Sequence, residues 1–297
     1  DARGRASGAP VRLTRGAEST GDLAVSRDGR MIFTTGTQRF NVWGLPLEGG
    51  APYRLTVGPA TTENPAISDD GRRLLYDAQR YGVQQIFLRD LDSGAERVVA
   101  SGPLGATGAR WLPDGRFVYR QRTDVYLDSQ KLATGAIPWG VDPKGETLLL
   151  ESEGRIETLN LKSMLRTPFL AAGSPLSQAW FSPGGTEVVV ADGTQIYRSP
   201  VRDPRLIPVA EGAAPRWSPD GRLIYFLRDS AIYAVRSDST SQPFLVWRSA
   251  GPRLSLDGVN PAAQEISAAR DKLVVLLAET NSNLWMADFR MGGPPLP

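Results

Sequence analysis

Residues 214–226, APRWSPDGRLIYF, contain the pattern on which the fold depends. A short turn, Ser-Pro-Asp-Gly-Arg, precedes a run of β-branched and aromatic residues. Proline presets its own φ, and Asp-Gly supplies the positive φ of a tight hairpin. Turns of this kind occur at residues 26–30, 68–72, 112–116, 142–146, 182–186 and 218–222, and a degenerate copy occupies residues 267–272.

The turns repeat with a period close to that of a β-propeller blade. Their glycines lie 42, 44, 30, 40 and 36 residues apart. A short apolar run precedes each turn, and a second and a third run follow it. Weaker copies of a fourth, outer run come next. A period near 40 residues with several short strands is typical of propeller blades. The sequence therefore predicts an all-β, seven-bladed β-propeller of four-stranded antiparallel blades, or six blades if residues 267–272 do not begin a full blade.

The two ends of the chain are predicted to meet in one blade. Residues 281–289 form a third run with no fourth run after them, whereas residues 9–14 (APVRLT) closely match the outer run at residues 51–56 (APYRLT). The N-terminal strand would therefore complete the last blade and close the ring, which leaves only short outer edges exposed. This predicts a single propeller domain over residues 9–290, with flexible ends at residues 1–8 and 291–297.

The repeat unit resembles the WD-repeat-like propeller repeat of TolB and its relatives. The resemblance rests on residues 214–226 and on a Gly49-Gly50 pair that leads into Arg54-Leu55-Thr56. Residues 281–289 are similar to the last repeat of propellers fused behind bacterial Ser/Thr kinase domains or winged-helix regulators. In those proteins the propeller serves as a sensor or interaction module. The chain itself contains none of the kinase signature motifs.

Composition excludes several classes of chemistry. The 297 residues include no cysteine and no histidine. Thiol nucleophiles, Ser–His–Asp triads and His- or Cys-based metal centres are therefore absent, and no cofactor or metal is predicted. The net charge is only +2, and no run of Lys and Arg is present. Nucleic acid is therefore not an expected partner.

The sequence also bears on location. No apolar run approaches about 18 residues, so no transmembrane helix and no membrane contact by the domain itself are predicted. The chain starts at Asp1 without an initiator Met or a signal-peptide pattern. This suggests a mature form or a fragment of something longer. The resemblance implies an extracytoplasmic, periplasmic location in a bacterium, with any membrane tether lying outside this chain.

Candidate binding residues follow from propeller topology. The loops between second and third strands share one face with the links between blades, and propeller ligands commonly bind there. Arginines recur in this region and suit a carboxylate or an acidic segment of a protein partner. The alternative is that they are solvated or paired with nearby acidic residues. The candidates are Arg39, Arg80, Tyr81, Arg110, Arg122, Trp139, Arg216 and Arg228.

Other patterns favour structural interpretations. The turn aspartates lie in separate blades, so each is a hairpin residue rather than a metal ligand. The aromatic residues Trp111, Phe181 and Trp217 precede their turns by the same offset, which predicts packing between blades. Paired carboxylates near the channel would permit glycosidase-type catalysis. The carboxylates in question are Glu63, Asp77, Asp124, Glu151, Asp192, Asp229 and Glu279.

Three functions remain after this reasoning. The first is a non-enzymatic protein- or peptide-binding propeller, acting as the sensor or interaction domain of a larger bacterial regulator such as a receptor-type Ser/Thr kinase. The second is a periplasmic TolB-like scaffold for envelope proteins. The third is a carboxylate-based enzyme acting on carbohydrate. The missing histidine and cysteine favour the binding functions over the enzyme.

Overall fold

The computed structural model describes residues 19–26, 30–58, 60–80, 82–238, 242–249, 254–255 and 266–288. Every regular element in these ranges is a β-strand. Residues 39–279 form one compact unit, and the described residues before 39 and after 279 belong to another. Within the ranges given, no helix is long and apolar enough to cross a membrane.

The strands are named in chain order. The first three are β1 (Ser19–Val25), β2 (Arg30–Pro46) and β3 (Tyr53–Arg54). Blade 1 comprises β4 (Thr62–Ile67), β5 (Arg73–Arg80), β6 (Val83–Asp90) and β7 (Glu96–Ala100). Blade 2 comprises β8 (Thr107–Trp111), β9 (Phe117–Gln121), β10 (Asp124–Leu127) and β11 (Gln130–Thr134). Blade 3 comprises β12 (Ile137–Val141), β13 (Thr147–Ser152), β14 (Arg155–Asn160) and β15 (Arg166–Leu170).

The remaining strands follow the same order. Blade 4 comprises β16 (Ser177–Phe181), β17 (Glu187–Ala191), β18 (Gln195–Pro200) and β19 (Ile207–Glu211). Blade 5 comprises β20 (Ala213–Trp217), β21 (Leu223–Arg228), β22 (Ala231–Arg236) and β23 (Phe244–Arg248). The last three strands are β24 (Leu254–Ser255), β25 (Ile266–Ala268) and β26 (Lys272–Asp288). In blades 1 to 5 the strands are antiparallel and pair in sequence order.

Strands from both ends of the chain form the sixth blade. β25 pairs with β26, β26 with β2, and β2 with β3, whose Arg54 lies opposite Trp43. The innermost strands β4, β8, β12, β16, β20 and β25 each contact the next, and β25 contacts β4. The Ile67 amide donates to the Ser267 hydroxyl across that last junction, at 3.1 Å. The ring of residues 39–279 is therefore closed.

These observations confirm the predicted all-β propeller of four-stranded antiparallel blades. The described residues form six such blades, the second of the two counts left open by the sequence. The first and last repeats of the sequence share one blade, because β2 and β3 supply the third and fourth strands after β25 and β26. Tyr53–Arg54 is the outermost strand of that blade. The proposed closing strand at residues 9–14 lies outside the described residues.

The second unit contains the remaining described strand segments. β1 pairs antiparallel with the first part of β2, from Ser19 opposite Gly36 to Val25 opposite Met31. The Trp285 indole donates to the Thr35 hydroxyl at 2.8 Å. Residues 284–286, predicted to lie in the third strand of the last blade, are in the distal part of β26. The prediction of a single domain over residues 9–290 extends beyond the described residues and stays a prediction.

The Asp-Gly turns adopt the predicted hairpin geometry. Gly71 has φ of +73°, and its amide donates to the Ser68 carbonyl at 2.8 Å. The Asp70 carboxylate accepts hydrogen bonds from the Ser68 hydroxyl and the Arg72 amide, which lower its pKa. This aspartate is therefore held by its own turn, as the sequence predicted. The central residues of the turn at 26–30 are not among those described.

Tryptophan side chains link neighbouring blades through hydrogen bonds. The Trp111 indole donates to the Ala66 carbonyl in blade 1 at 2.9 Å. The Trp217 indole donates in the same way to the Trp180 carbonyl in blade 4, at 3.1 Å. Each bond joins an inner strand to the inner strand of the preceding blade. The predicted packing role of these period-matched aromatics is confirmed.

Candidate functional site

The inner strands surround a cavity of about 500 Å³ that extends to the turns between first and second strands. Its lining repeats from blade to blade. In blades 1 to 5, the residue five positions before the turn glycine lines the cavity. These residues are Ala66, Arg110, Gly140, Trp180 and Arg216. We call this cavity the channel pocket.

A backbone irregularity accompanies these positions. The pairing register of β8, β16 and β20 with the next strand shifts immediately before Arg110, Trp180 and Arg216. Two residues before each of these side chains stands a residue with positive φ: Gly108, Gln178 or Ala214. Such β-bulges are known to redirect a side chain. They accompany the arginines and the tryptophan at the channel pocket.

Two arginines and two tryptophans form the interior of the pocket. The Arg216 guanidinium carbon lies 3.6 Å from the Trp180 ring centroid. The Arg110 guanidinium carbon lies 5.0 Å from the ring of Trp139 and 5.5 Å from that of Trp180. The two indoles meet edge-on, with centroids 5.7 Å apart. The indole faces attract the cations.

Each of the two arginines has a donor atom without an acceptor among the described residues. Arg110 is 3% exposed, and its Nη1 donates only to the carbonyl of Ala109, at 2.9 Å. Arg110 Nε and Arg216 Nη1 are buried, and neither finds a hydrogen-bond acceptor among the described residues. Burial lowers the pKa of Arg110 to about 9 and that of Arg216 to about 10. Both groups still carry a positive charge at neutral pH.

Asp77 is a fully buried carboxylate beside Arg110. Its Oδ2 accepts hydrogen bonds from Asn64 Nδ2 at 2.7 Å, from the Gly108 amide at 2.8 Å and from the Thr107 hydroxyl. Its Oδ1 has no hydrogen-bond partner within the described part of the chain. Asp77 therefore binds the backbone of the β8 bulge, and it acts on Arg110 through charge rather than through a hydrogen bond.

A second carboxylate supports the tryptophan on the other side of Arg110. Glu151 Oε2 accepts a hydrogen bond from the Trp139 indole at 3.0 Å. Burial raises the pKa of Glu151, against the opposing effects of that bond and of Arg120. Arg120 is itself partly buried and lies near both Glu151 and Asp77. Trp139 is fully buried, so its ring is held in place by packing and by this one polar contact.

The buried carboxyl predicts a specific pH dependence of stability. Burial raises the pKa of Asp77 from 3.8 to about 6. The stabilisation associated with the neutral form is fully present below pH 3.8 and is lost as the pH rises through about 6. Two pKa units correspond to about 3 kcal/mol. We expect the free energy of unfolding of the wild type, relative to Asp77→Asn, to fall by about that amount between those limits in urea titrations. A difference that does not vary with pH would contradict this assignment.

The structure separates the predicted site residues into two groups. Arg110, Trp139 and Arg216 lie together in the channel pocket. Trp180 and Gly140 join them there and were missed by the sequence reasoning, although both obey the five-residue offset from the turn glycine. The pocket extends to the turns between first and second strands, whereas the sequence-based prediction favoured the opposite ends of the strands.

The other predicted arginines do not line the channel pocket. Arg80 forms an ion pair with Glu96 at 2.8 Å, and its guanidinium covers the ring of Phe87. Arg228 lies 4.2 Å from the Tyr233 ring centroid. Arg39 and Arg122 are exposed. Tyr81 lies outside the described residues. A partner-binding role for these loop residues stays a prediction.

The candidate catalytic carboxylates are mostly engaged in local contacts. Asp124 accepts from Thr134 at 2.8 Å and pairs with Lys131 at 2.9 Å. Asp192 accepts three hydrogen bonds from its own turn and one from Tyr197. Glu279 pairs with Arg54. Across the described ranges, no three acidic side chains converge as they would around a metal ion.

Comparison with known proteins gives the fold and no closer relationship. No family model and no curated protein matches the chain. A putative TolB from Agrobacterium tumefaciens has TM-score 0.65 and 14% identity, over 81% of this chain and 98% of that chain. TolB from Acinetobacter baumannii has TM-score 0.56 and 14% identity, over 73% of this chain and 63% of that chain. A chain of a nidogen/laminin complex has TM-score 0.57 and 14% identity, over 69% of this chain and 93% of that chain. The chain therefore has the fold of a TolB-like β-propeller.

Proposed function

We propose that this chain is a non-enzymatic binding module that receives an acidic segment of a protein or peptide partner in the channel pocket. The observation that carries the proposal is the pair of arginines that line one cavity against tryptophan rings, each with a buried donor atom that finds no acceptor among the described residues. Cationic donors and aromatic walls converging on one concavity are typical of recognition sites. One solved structure of the same fold is a nidogen/laminin complex, which supports a protein as the partner.

The cellular role we propose follows the resemblance of the repeats. The module acts outside the cytoplasm as the sensor or interaction domain of a larger bacterial regulator, such as a receptor-type Ser/Thr kinase. A second candidate is an envelope scaffold of the TolB kind. The likeness to two TolB structures favours that candidate at the level of the fold alone. In both roles the channel pocket receives the partner.

Peptide selection tests the binding function. Random peptides displayed on phage would be selected on the immobilised full chain, and we expect enrichment of sequences rich in Asp and Glu. Arg216→Gln should weaken binding of the selected peptides by about ten-fold or more, because a charge-assisted hydrogen bond is lost from a buried site.

Arg122→Gln provides the comparison with the opposite strand ends. Arg122 is exposed in the turn between the second and third strands of blade 2, so its replacement should leave binding unchanged. Failure to enrich any peptide would contradict the binding function. Enrichment that depends on Arg122 and not on Arg216 would move the site to the loops between second and third strands.

A further inference from the structure

We infer that Arg110 and Arg216 form a binding site for a single carboxylate group inside the channel pocket. The inference deepens the proposed function, since it names the group that the pocket recognises. It rests on the proposed function only where the carboxylate belongs to a peptide. A small carboxylic acid would bind to the same donors.

Two donor atoms of these arginines lack an acceptor. A buried donor without an acceptor costs about 1–3 kcal/mol, and more when it is charged. Buried charges in proteins are normally paired. Arg110 Nε and Arg216 Nη1 are both buried donors without acceptors in the described structure. Asp77 does not fill the gap, because its Oδ2 is taken by blade contacts and its Oδ1 makes no hydrogen bond.

The interior of the pocket carries an excess of positive charge. The two guanidinium groups are close enough for Arg216 to lower the pKa of Arg110. Asp77 offsets one of the two positive charges when ionised, so the interior has one positive charge in excess. A single monoanion restores neutrality. A phosphate dianion would leave an excess negative charge in a desolvated site, which is unfavourable.

The rim of the pocket does not alter this balance. Two arginines and two aspartates line it, and their charges cancel. These residues are Asp69, Asp70, Arg73 and Arg270. Arg120 and Glu151, which lie near Asp77 and Trp139 respectively, also offset each other. Asp69 acts on Arg216 through charge, but the lining residues together with Asp77 still leave one positive charge in excess.

The shape of the pocket also suits a carboxylate. The Arg216 guanidinium carbon lies 3.6 Å from the Trp180 ring centroid. A guanidinium presents its N–H donors in a planar fork, which matches the two oxygens of a carboxylate. The indole of Trp180, a residue that keeps 7% of its surface exposed, provides an apolar surface beside the cations. A carboxylate attached to an aromatic or aliphatic group fits both features.

Calorimetric titration of the full chain tests the inference. Benzoate, acetate and inorganic phosphate would be titrated at constant ionic strength near neutral pH. We expect saturable binding at one site per chain, with benzoate tighter than acetate and both tighter than phosphate. Arg216→Gln should weaken the binding of benzoate by about ten-fold or more. Arg155→Gln removes an equal charge from an exposed residue outside the pocket and should leave the affinity unchanged.

Several results would overturn the site. They are the absence of saturable carboxylate binding, phosphate binding more tightly than benzoate, or equal weakening by Arg216→Gln and Arg155→Gln. If Arg216→Gln does not fold, as judged by its unfolding transition, Trp180→Phe serves as the second variant. A benzoate affinity left unchanged by Trp180→Phe would then count against the site.

Peptides separate the two sources of the carboxylate. A selected peptide would be compared with its C-terminal amide and with its Glu-to-Gln form. If amidation abolishes peptide binding, the site recognises the carboxylate of a chain terminus. If the Glu-to-Gln change abolishes binding, the site recognises a side-chain carboxylate. Peptide binding that neither change affects would contradict the carboxylate site. Benzoate binding without any selected peptide would uphold the carboxylate site while removing the proposed protein-binding function.

Discussion

Asp77→Ala is expected to lower the free energy of unfolding by about 3–5 kcal/mol. The change leaves the Asn64 amide, the Thr107 hydroxyl and the Gly108 amide without their shared acceptor in a buried location. It also removes a nearby negative charge that favours the protonated form of Arg110. Urea unfolding near neutral pH, followed by tryptophan fluorescence, measures the loss.

Asp124→Ala is the matched control for this change. Asp124 lies on a strand of the neighbouring blade, and its carboxylate pairs with Lys131 at the surface. Because exposed ion pairs contribute little to stability, its removal should hardly change the urea concentration at the midpoint of unfolding. A loss from Asp77→Ala no larger than that from Asp124→Ala would contradict the view that Asp77 organises the β8 bulge. Asp77→Asn should cost less than Asp77→Ala, because its amide oxygen still accepts from the three donors.

Gly140→Val is expected to destabilise the ring by about 3 kcal/mol. A Cβ at this position would lie 2.9 Å from Trp180 Cα and 3.1 Å from the Ala179 carbonyl oxygen. These are backbone atoms of β16, so blades 3 and 4 must move apart to accept the side chain. The same displacement shifts Trp180, and benzoate binding should weaken in parallel.

Gly173→Val provides the comparison for the second variant. Gly173 is exposed, and a Cβ there would meet nothing within 4 Å. Its replacement should leave both the unfolding transition and the benzoate affinity close to wild type. Equal effects of the two substitutions would contradict the close approach of β12 and β16 at the channel pocket.

The repeat architecture was predictable because turn chemistry is local. Gly71 and Gly221 occupy the positive-φ positions that Asp-Gly turns require, and the sequence shows them directly. The number of blades was harder to predict because it depends on pairing between distant strands. β2 and β26 are more than 200 residues apart in the chain, yet they pair within one blade. No local signal in either segment specifies that partnership.

The site was predictable in part for the same reason. A constant offset from the turn glycine identifies Arg110, Trp180 and Arg216 together, and this signal is present in the sequence. What the offset does not reveal is the packing around each side chain. Arg80 and Arg110 look alike in sequence, but Arg80 forms an ion pair with Glu96 on the outer strand β7, whereas Arg110 has no ion pair of that kind among the described residues.

The carboxylate site has the most direct test in a crystal of the full chain soaked with para-bromobenzoate. Anomalous scattering from bromine locates the ligand without assumptions about its pose. We predict one strong peak in the channel pocket beside Trp180, with the carboxylate in contact with the guanidinium groups of Arg110 and Arg216. A bound ligand with its peak elsewhere on the propeller, or an empty pocket at saturating ligand, would contradict the account.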